Sequence, residues 1–386
     1  MQTFPRYVQQ GLNWAAKWSL IWLNVFGLFD SIFSSSLRTK APHSRKQNRR
    51  YIAQLMIITR TPFRISFFGG GTDYPGWYTQ HGGEVLSTTI DKYCYITCRH
   101  LPPFFEHKHR VVYSAIENVK HWDEIKHPAV RAVLGWSKCD KGLEIHHDGD
   151  LPARSGLGSS SSFTVGLLHA IAALKGSYVS KEQLAKDALH IEQNVIGEAV
   201  GSQDQIAAAY GGFNRIEFKR SGNFNVAPVI LKKQRQKDFQ KHLMLCFTGI
   251  SRIAAEVAKS KIANLSKRET ELKAIHGMVD EATQILQSST RPIEEFGDLL
   301  HESWQRKRAL SDMVATPEVD QIYEAARDAG AIGGKVLGAG GGGFMLFFVR
   351  PEHQARVRER LSKLVHVPFG FDESGSRVML YQPNGL

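Results

Sequence analysis

The stretch Pro152-Ala153-Arg154-Ser155-Gly156-Leu157-Gly158-Ser159-Ser160-Ser161-Ser162 runs without a break into an apolar segment in which Phe163, Leu167, Ile171 and Leu174 recur at helical spacing. Glycines let a backbone approach a ligand closely, and serines supply hydroxyls and helix caps. A helix starting here offers unpaired amides and the positive end of its dipole to an anion. Phosphate is the natural guest. A solvated Gly/Ser linker would not lead straight into a buried helix. The loop also lacks the Gly-Lys-Ser/Thr ending of a Walker A loop, which disfavours an ordinary P-loop nucleotidase.

Other residues could complete phosphoryl-transfer chemistry. Glu192 flanks a helix marked by Leu184, Ala188, Ile191 and Val195, and Asp204 follows in the polar loop Gly201-Ser202-Gln203-Asp204-Gln205. A divalent metal needs hard oxygen ligands, and an acceptor hydroxyl needs an oriented proton acceptor. In Arg60-Thr61-Pro62-Phe63-Arg64-Ile65, followed by Gly69-Gly70-Gly71-Thr72-Asp73-Tyr74, an arginine on a strand precedes an acid just past a tight turn. Asp73 can accept hydrogen bonds from a polyol while Arg64 supplies charge near the reacting oxygen. Ser251 opens a predicted helix after a strand, with Arg252 in its first turn, a ready site for a second phosphate. Gly338-Ala339-Gly340-Gly341-Gly342-Gly343 formally satisfies G-x-G-x-x-G. The strand-like Phe344-Met345-Leu346-Phe347-Phe348-Val349 follows it, however, so a dinucleotide-binding βαβ unit is rejected.

Pro-x-x-x-Gly-Leu-Gly-Ser-Ser at 152–160 resembles the second signature of the GHMP superfamily, the galactokinase, homoserine kinase, mevalonate kinase and phosphomevalonate kinase group. The segments at 60–74 and 338–343 are similar to its first and third signatures. The resemblance implies ATP as phosphoryl donor, with Gly156, Leu157, Gly158, Ser159, Ser160 and Ser161 around its phosphates and the loop containing Gly340 and Gly341 closing the site. It further implies Mg²⁺ held by Ser160 and Glu192, with Glu198 as the rival glutamate, and Asp204 as base or electrostatic anchor beside Arg64. Gly71, Thr72, Asp73, Arg252 and Gly341 would address the acceptor. Together, Gly69 to Tyr74, Gly201 to Gln205 and Thr248-Gly249-Ile250-Ser251-Arg252 look most like the D-glycero-D-manno-heptose 7-phosphate kinase branch, whose members phosphorylate the anomeric hydroxyl. An anomeric kinase of an unphosphorylated sugar, of fucokinase or galactokinase type, and a non-catalytic sugar sensor are the competing expectations.

The elements that must position these groups mix strands and helices without strict βαβ repetition, an α+β pattern. Predicted strands cover 57–68, 83–90, 93–99, 143–147 and 243–247. Residues 160–174 and 184–195 are predicted helices, and 251–310 is mainly helical. Thr316 and Pro317 supply an N-cap and first-turn proline for a further helix. The family resemblance implies two domains, 56–240 of ribosomal protein S5 domain 2-like type and 241–386 of ferredoxin-like α/β-plait type.

Composition limits the partners. The formal net charge is +12 over 386 residues, but the first 55 residues hold eight Lys or Arg against Asp30 and so supply +7 of it, leaving +5 from Met56 onward. That mild bias suits an anionic small molecule, here a sugar phosphate, better than nucleic acid. Residues 1–55 read as a basic extension outside the fold. Their apolar stretch is interrupted by Lys17, Asn24 and Asp30, so no membrane span is expected. Trp14, Trp18 and Trp22 leave an interfacial helix as the alternative. Four cysteines in so long a chain fit a reducing, cytoplasmic setting, with Cys94 and Cys98 as buried thiols on one strand face rather than metal ligands.

Overall fold

The computed structural model describes residues 55–139, 141–250 and 254–382. The expectations for residues 1–54 and for Arg252 lie outside the described residues. Among the described residues the strands form a nine-stranded and a four-stranded sheet.

The large sheet is built around two long strands, β1 (Met56–Phe68) and β2 (Gly83–His100), paired antiparallel along most of their length. Sequence patterning splits 83–100 at the polar pair Asp91-Lys92, whereas the structure keeps one continuous strand. The reason is tertiary: the Asp91 amide bonds Gly370 O, and β12 (Phe371–Asp372) pairs with Thr89 and Ile90. The remaining pairings of β2 are with β5 (Leu143–Gly149) and β6 (Phe213–Phe218). β13 (Arg377–Gln382) borders β1, so residues 371–382 return to the sheet that opens the chain.

The Ser159–Leu174 helix lies on β1 and β2. It sits close because Gly166 carries no side chain: a Cβ there would meet Thr61 Oγ1 at 2.9 Å, and Thr59 Oγ1 donates to Gly166 O at 2.9 Å. Cys94 and Cys98 are fully buried and unbridged, as the alternating pattern predicts.

The small sheet has the order β11 (Val365–Val367), β8 (Leu243–Phe247), β10 (Phe344–Val349), β9 (Ala331–Val336), all antiparallel. Every residue of β10 is buried because the strand divides two cores. Phe344, Leu346 and Phe348 face the core shared with the large sheet, while Met345, Phe347 and Val349 face Trp304, Tyr323 and Val357. Phe239 joins the two sheets. Its ring centroid lies 5.4 Å from that of Phe67 on β1, 4.7 Å from Phe296 and 6.2 Å from Phe348 on β10. Deleting a buried ring costs its transfer free energy plus the cavity left behind. Phe239→Ala is therefore expected to lower unfolding free energy by about 3–5 kcal/mol in urea denaturation. A change within about 0.5 kcal/mol would show that this ring does not knit the core.

Candidate functional site

The glycine and serine loop meets the large sheet through the Arg64 and Leu157 backbones: the Arg64 amide donates to Leu157 O at 3.0 Å. Gly158, at φ +74°, turns the chain into the Ser159–Leu174 helix. A Cβ there would stand 3.3 Å from Arg64 Cγ and 3.4 Å from Asp204 Cγ. The glycine is thus required both by its left-handed backbone and by how closely the catalytic candidates approach it. Loop 338–343 backs this turn. Phe344 N donates to Ser155 O at 3.0 Å, and a Cβ on Gly338 would lie 2.6 Å from Gly156 Cα. The Gly341 amide is committed to Val314 O at 2.8 Å.

Arg64 is 3% exposed and makes three strong hydrogen bonds. Nε donates to Asp204 Oδ1, Nη2 to Asp204 Oδ2 and Nη1 to Gly156 O, each at 2.7 Å. A planar guanidinium can hold both carboxylate oxygens at once, a fork that fixes their positions as well as their charge. Asp204 stands in the first turn of the Gln203–Tyr210 helix, not in the polar loop expected from sequence, and its side chain is 26% exposed. Helix geometry explains the neighbours, since successive side chains diverge by about 100°. Gln203 Nε2 reaches Asp73 Oδ2 at 2.9 Å, Asp204 meets Arg64, and Gln205 Nε2 bonds Glu192 Oε2. Three consecutive residues thereby join three different elements.

Asp73 is 3% exposed, and burial raises its carboxyl above the ordinary range. The Gly71 amide opposes that shift, while the charge of Asp204 adds to it. Gly201 must be glycine, because a Cβ would stand 1.9 Å from Asp73 Oδ2. The Thr72 hydroxyl is taken up by Gly69 O at 2.8 Å and Glu84 O at 3.0 Å, tying the turn to β2.

Glu192 sits in a π-helical turn, His190–Ile196, and is 1% exposed. Ser161 Oγ donates to its Oε2 at 2.8 Å, while Oε1 is buried without a partner. Burial pushes its carboxyl up to about 7, opposed by the polar neighbours Thr164, Ser161 and Gln205. Ser160, next to Ser161, is exposed. Glu198 is half-buried with its carboxyl raised by burial, opposed by the charge of Arg154. An orphaned hard carboxylate oxygen beside serine hydroxyls fits Mg²⁺, which takes few protein ligands and completes its shell with water and phosphate oxygens.

Sequence reading missed three buried lysines. Lys307 Nζ donates to Val336 O at 2.9 Å and Gly338 O at 2.8 Å, and Lys335 Nζ to Phe67 O at 2.6 Å. Lys261, in the Ala254–Asn264 helix, has its ammonium over the Tyr74 ring, 5.5 Å from the centroid. The available signal was positional: Lys261 shares a helical stripe with Val257, Ala258 and Leu265, and Lys307 shares one with Leu300 and Trp304.

Family models match the chain in two places, one described as GHMP kinases N terminal domain over residues 111–212, the other as GHMP kinases C terminal over residues 283–367. A D-glycero-alpha-D-manno-heptose 7-phosphate kinase of Campylobacter jejuni subsp. jejuni serotype O:2 is 33% identical over 319 residues, covering 80% of this chain and 93% of its own. The structure of a putative sugar kinase from Campylobacter jejuni aligns with TM-score 0.62 at 27% identity, over 85% of this chain and 98% of that one. A D-glycero-D-manno-heptose 1-phosphate kinase from Bacteriodes thetaiotaomicron shares the fold, with TM-score 0.69 at 23% identity over 84% and 99% of the two chains.

Because the Glu192 carboxyl holds its proton more tightly in the folded protein than at the ordinary 4.5, its contribution to stability is full below pH 4.5. That contribution is lost as pH rises through about 7. In metal-free buffer, Glu192→Gln should remove this part of the pH dependence of urea unfolding. An unchanged pH profile in the variant would contradict the buried, protonated state.

Proposed function

The chain belongs to the GHMP kinase family, and we propose that it transfers the terminal phosphoryl group of ATP to the anomeric O1 of D-glycero-D-manno-heptose 7-phosphate, giving the 1,7-bisphosphate and ADP. The observation that carries this reading is the Arg64 fork, which joins Asp204 to the carbonyl of Gly156 in the phosphate loop. One buried cation thereby sets the distance between the carboxylate facing the acceptor and the loop that grips the donor. The heptose 7-phosphate assignment is supported by the name of the Campylobacter jejuni relative and by the resemblance of residues 69–74, 201–205 and 248–252 to that branch.

In this reading the amides and hydroxyls from Gly156 to Ser161 hold the β- and γ-phosphates at the helix mouth, and loop 338–343 keeps that turn in place. Asp73, with the Gly71 turn, accepts hydrogen bonds from acceptor hydroxyls. The O1 hydroxyl gives up its proton toward Asp204 as the O–P bond forms and the bond to the ADP oxygen breaks. Each Asp204 oxygen keeps a second lone pair beyond its bond to Arg64, so the carboxylate can still accept that hydrogen bond. Glu192 and Ser160 would hold Mg²⁺, whose charge neutralises the phosphate oxygens during transfer. Arg252 is assigned to the remote 7-phosphate. Residues 56–240 are assigned to the nucleotide-binding domain and 241–386 to the second, except that β12 and β13 (within 371–382) join the sheet of the first. A cytoplasmic location suits an ATP-using enzyme whose thiols are unbridged.

ADP release measured by a coupled assay over a panel of phosphorylated and free sugars tests the assignment. Fastest turnover of heptose 7-phosphate is expected, preference for free sugars would remove the heptose assignment, and no turnover would favour a sensor. Asp204→Asn should lower kcat at least about 100-fold while leaving ATP affinity similar. Near-normal turnover would reassign the base.

A further inference from the structure

Of the three buried lysines, two are already bound to carbonyls: Lys307 to Val336 O and Gly338 O, Lys335 to Phe67 O. Lys261 is different. It is 5% exposed, its ammonium stands 5.5 Å from the centroid of the Tyr74 ring, and it makes no hydrogen bond among the described residues. Burying an unpaired ammonium is costly, and such a group ordinarily finds a partner. Its nearest aromatic face belongs to Tyr74, the residue after Asp73. Asp73 in turn has one hydrogen bond on each oxygen, from the Gly71 amide and Gln203, so both oxygens keep a free lone pair.

We propose that Lys261 is an acceptor-binding residue, paired with Asp73 so that the ammonium donates to, and the carboxylate accepts from, hydroxyl groups adjacent to the one that is phosphorylated. The inference rests on the kinase reading and adds to it the group that selects among polyols. A donor and an acceptor side by side recognise a hydroxyl pair and penalise a deoxy analogue, because removing a hydroxyl leaves one of the buried groups unpaired.

The charges facing Lys261 are Asp73 from the turn after β1, Asp204 from the Gln203–Tyr210 helix, Arg64 from β1, Lys307 from the Glu294–Arg308 helix and Lys335 from β9. Tyr74, the other titratable neighbour, is held protonated by burial. Burial draws the Lys261 ammonium down to about 8, against the pull of Asp73 and Asp204. Acceptor binding through the charged form is therefore strong below that pH and lost above it.

Steady-state kinetics of Lys261→Met and Lys261→Arg test this with the acceptor that the wild-type protein turns over best and its monodeoxy analogues. The methionine variant should raise acceptor KM about 10- to 100-fold with ATP KM and melting temperature little changed, and arginine should recover part of the loss. The wild-type kcat/KM for acceptor should fall as pH rises through about 8, and the methionine variant should lack that limb. Its discrimination against one deoxy analogue should also shrink. An unchanged acceptor KM in a folded methionine variant overturns the inference alone. If that variant does not fold, an arginine variant with wild-type acceptor KM and an unshifted pH limb overturns it. Absence of turnover by the wild-type protein across the whole sugar panel removes the kinase reading and this inference with it.

Discussion

Arg64 is the constraint on which the site depends. One guanidinium, 3% exposed, spends three donors on two partners that are 48 positions apart in the chain, Gly156 and Asp204. A buried cation is tolerated only when its hydrogen-bonding capacity is met, and this geometry meets it with a bidentate carboxylate and a loop carbonyl. Lysine could supply the charge but not the fork, so the positions of both Asp204 oxygens would be lost with the arginine. The close approach of Gly158 to Arg64 and Asp204 follows from the same cluster: its left-handed backbone favours glycine, and a Cβ there would crowd Arg64 Cγ at 3.3 Å and touch Asp204 at 3.4 Å.

Around this arginine the protein gathers charge at the seam of its two sheets. Asp73 and Asp204 supply two carboxylates, and Lys261, Lys307 and Lys335 bring three further cations within electrostatic reach. The Lys307 ammonium donates to Val336 O and to Gly338 O of the glycine loop, and that of Lys335 to Phe67 O at the end of β1, so carbonyls take the place of water around both. Burial lowers Lys335 to about 7 and raises Glu192 to about 7, so the resting site lowers its own charge rather than carry every group ionised. Under the proposed kinase reading, the Arg64, Lys307 and Lys335 donors are already held by hydrogen bonds before any ligand enters.

The loop at 152–162 was legible because everything it says is local: glycine, serine and the first turn of an apolar helix are consecutive in the chain. Asp204 and Arg64 could be nominated individually, but their bond spans 140 positions and no periodicity records it. The same limit hid the roles of Gln203 and Gln205, whose targets, Asp73 and Glu192, come from other elements. It also hid why Gly201 is glycine, which depends on a carboxylate 128 positions earlier. The fold was misread where long-range pairing overrides local polarity. Asp91 and Lys92 look like a turn, yet β12 and Gly370 hold that stretch extended within β2. Lys261 and Lys307, on otherwise apolar helical stripes, carry a positional signal in the sequence that leaves their partners unstated, because those partners come from other elements.

The central claim, that the Arg64 fork sets Asp204 against a nucleotide held at the Gly156–Ser160 turn, is tested most directly by a crystal structure with a non-hydrolysable ATP analogue and the acceptor sugar. The account predicts the β- and γ-phosphates on the amides of that turn, the Arg64 bonds to Asp204 and Gly156 intact, and an acceptor hydroxyl within hydrogen-bonding distance of Asp204. Nucleotide bound elsewhere, or Asp204 turned away from every acceptor oxygen, would contradict it.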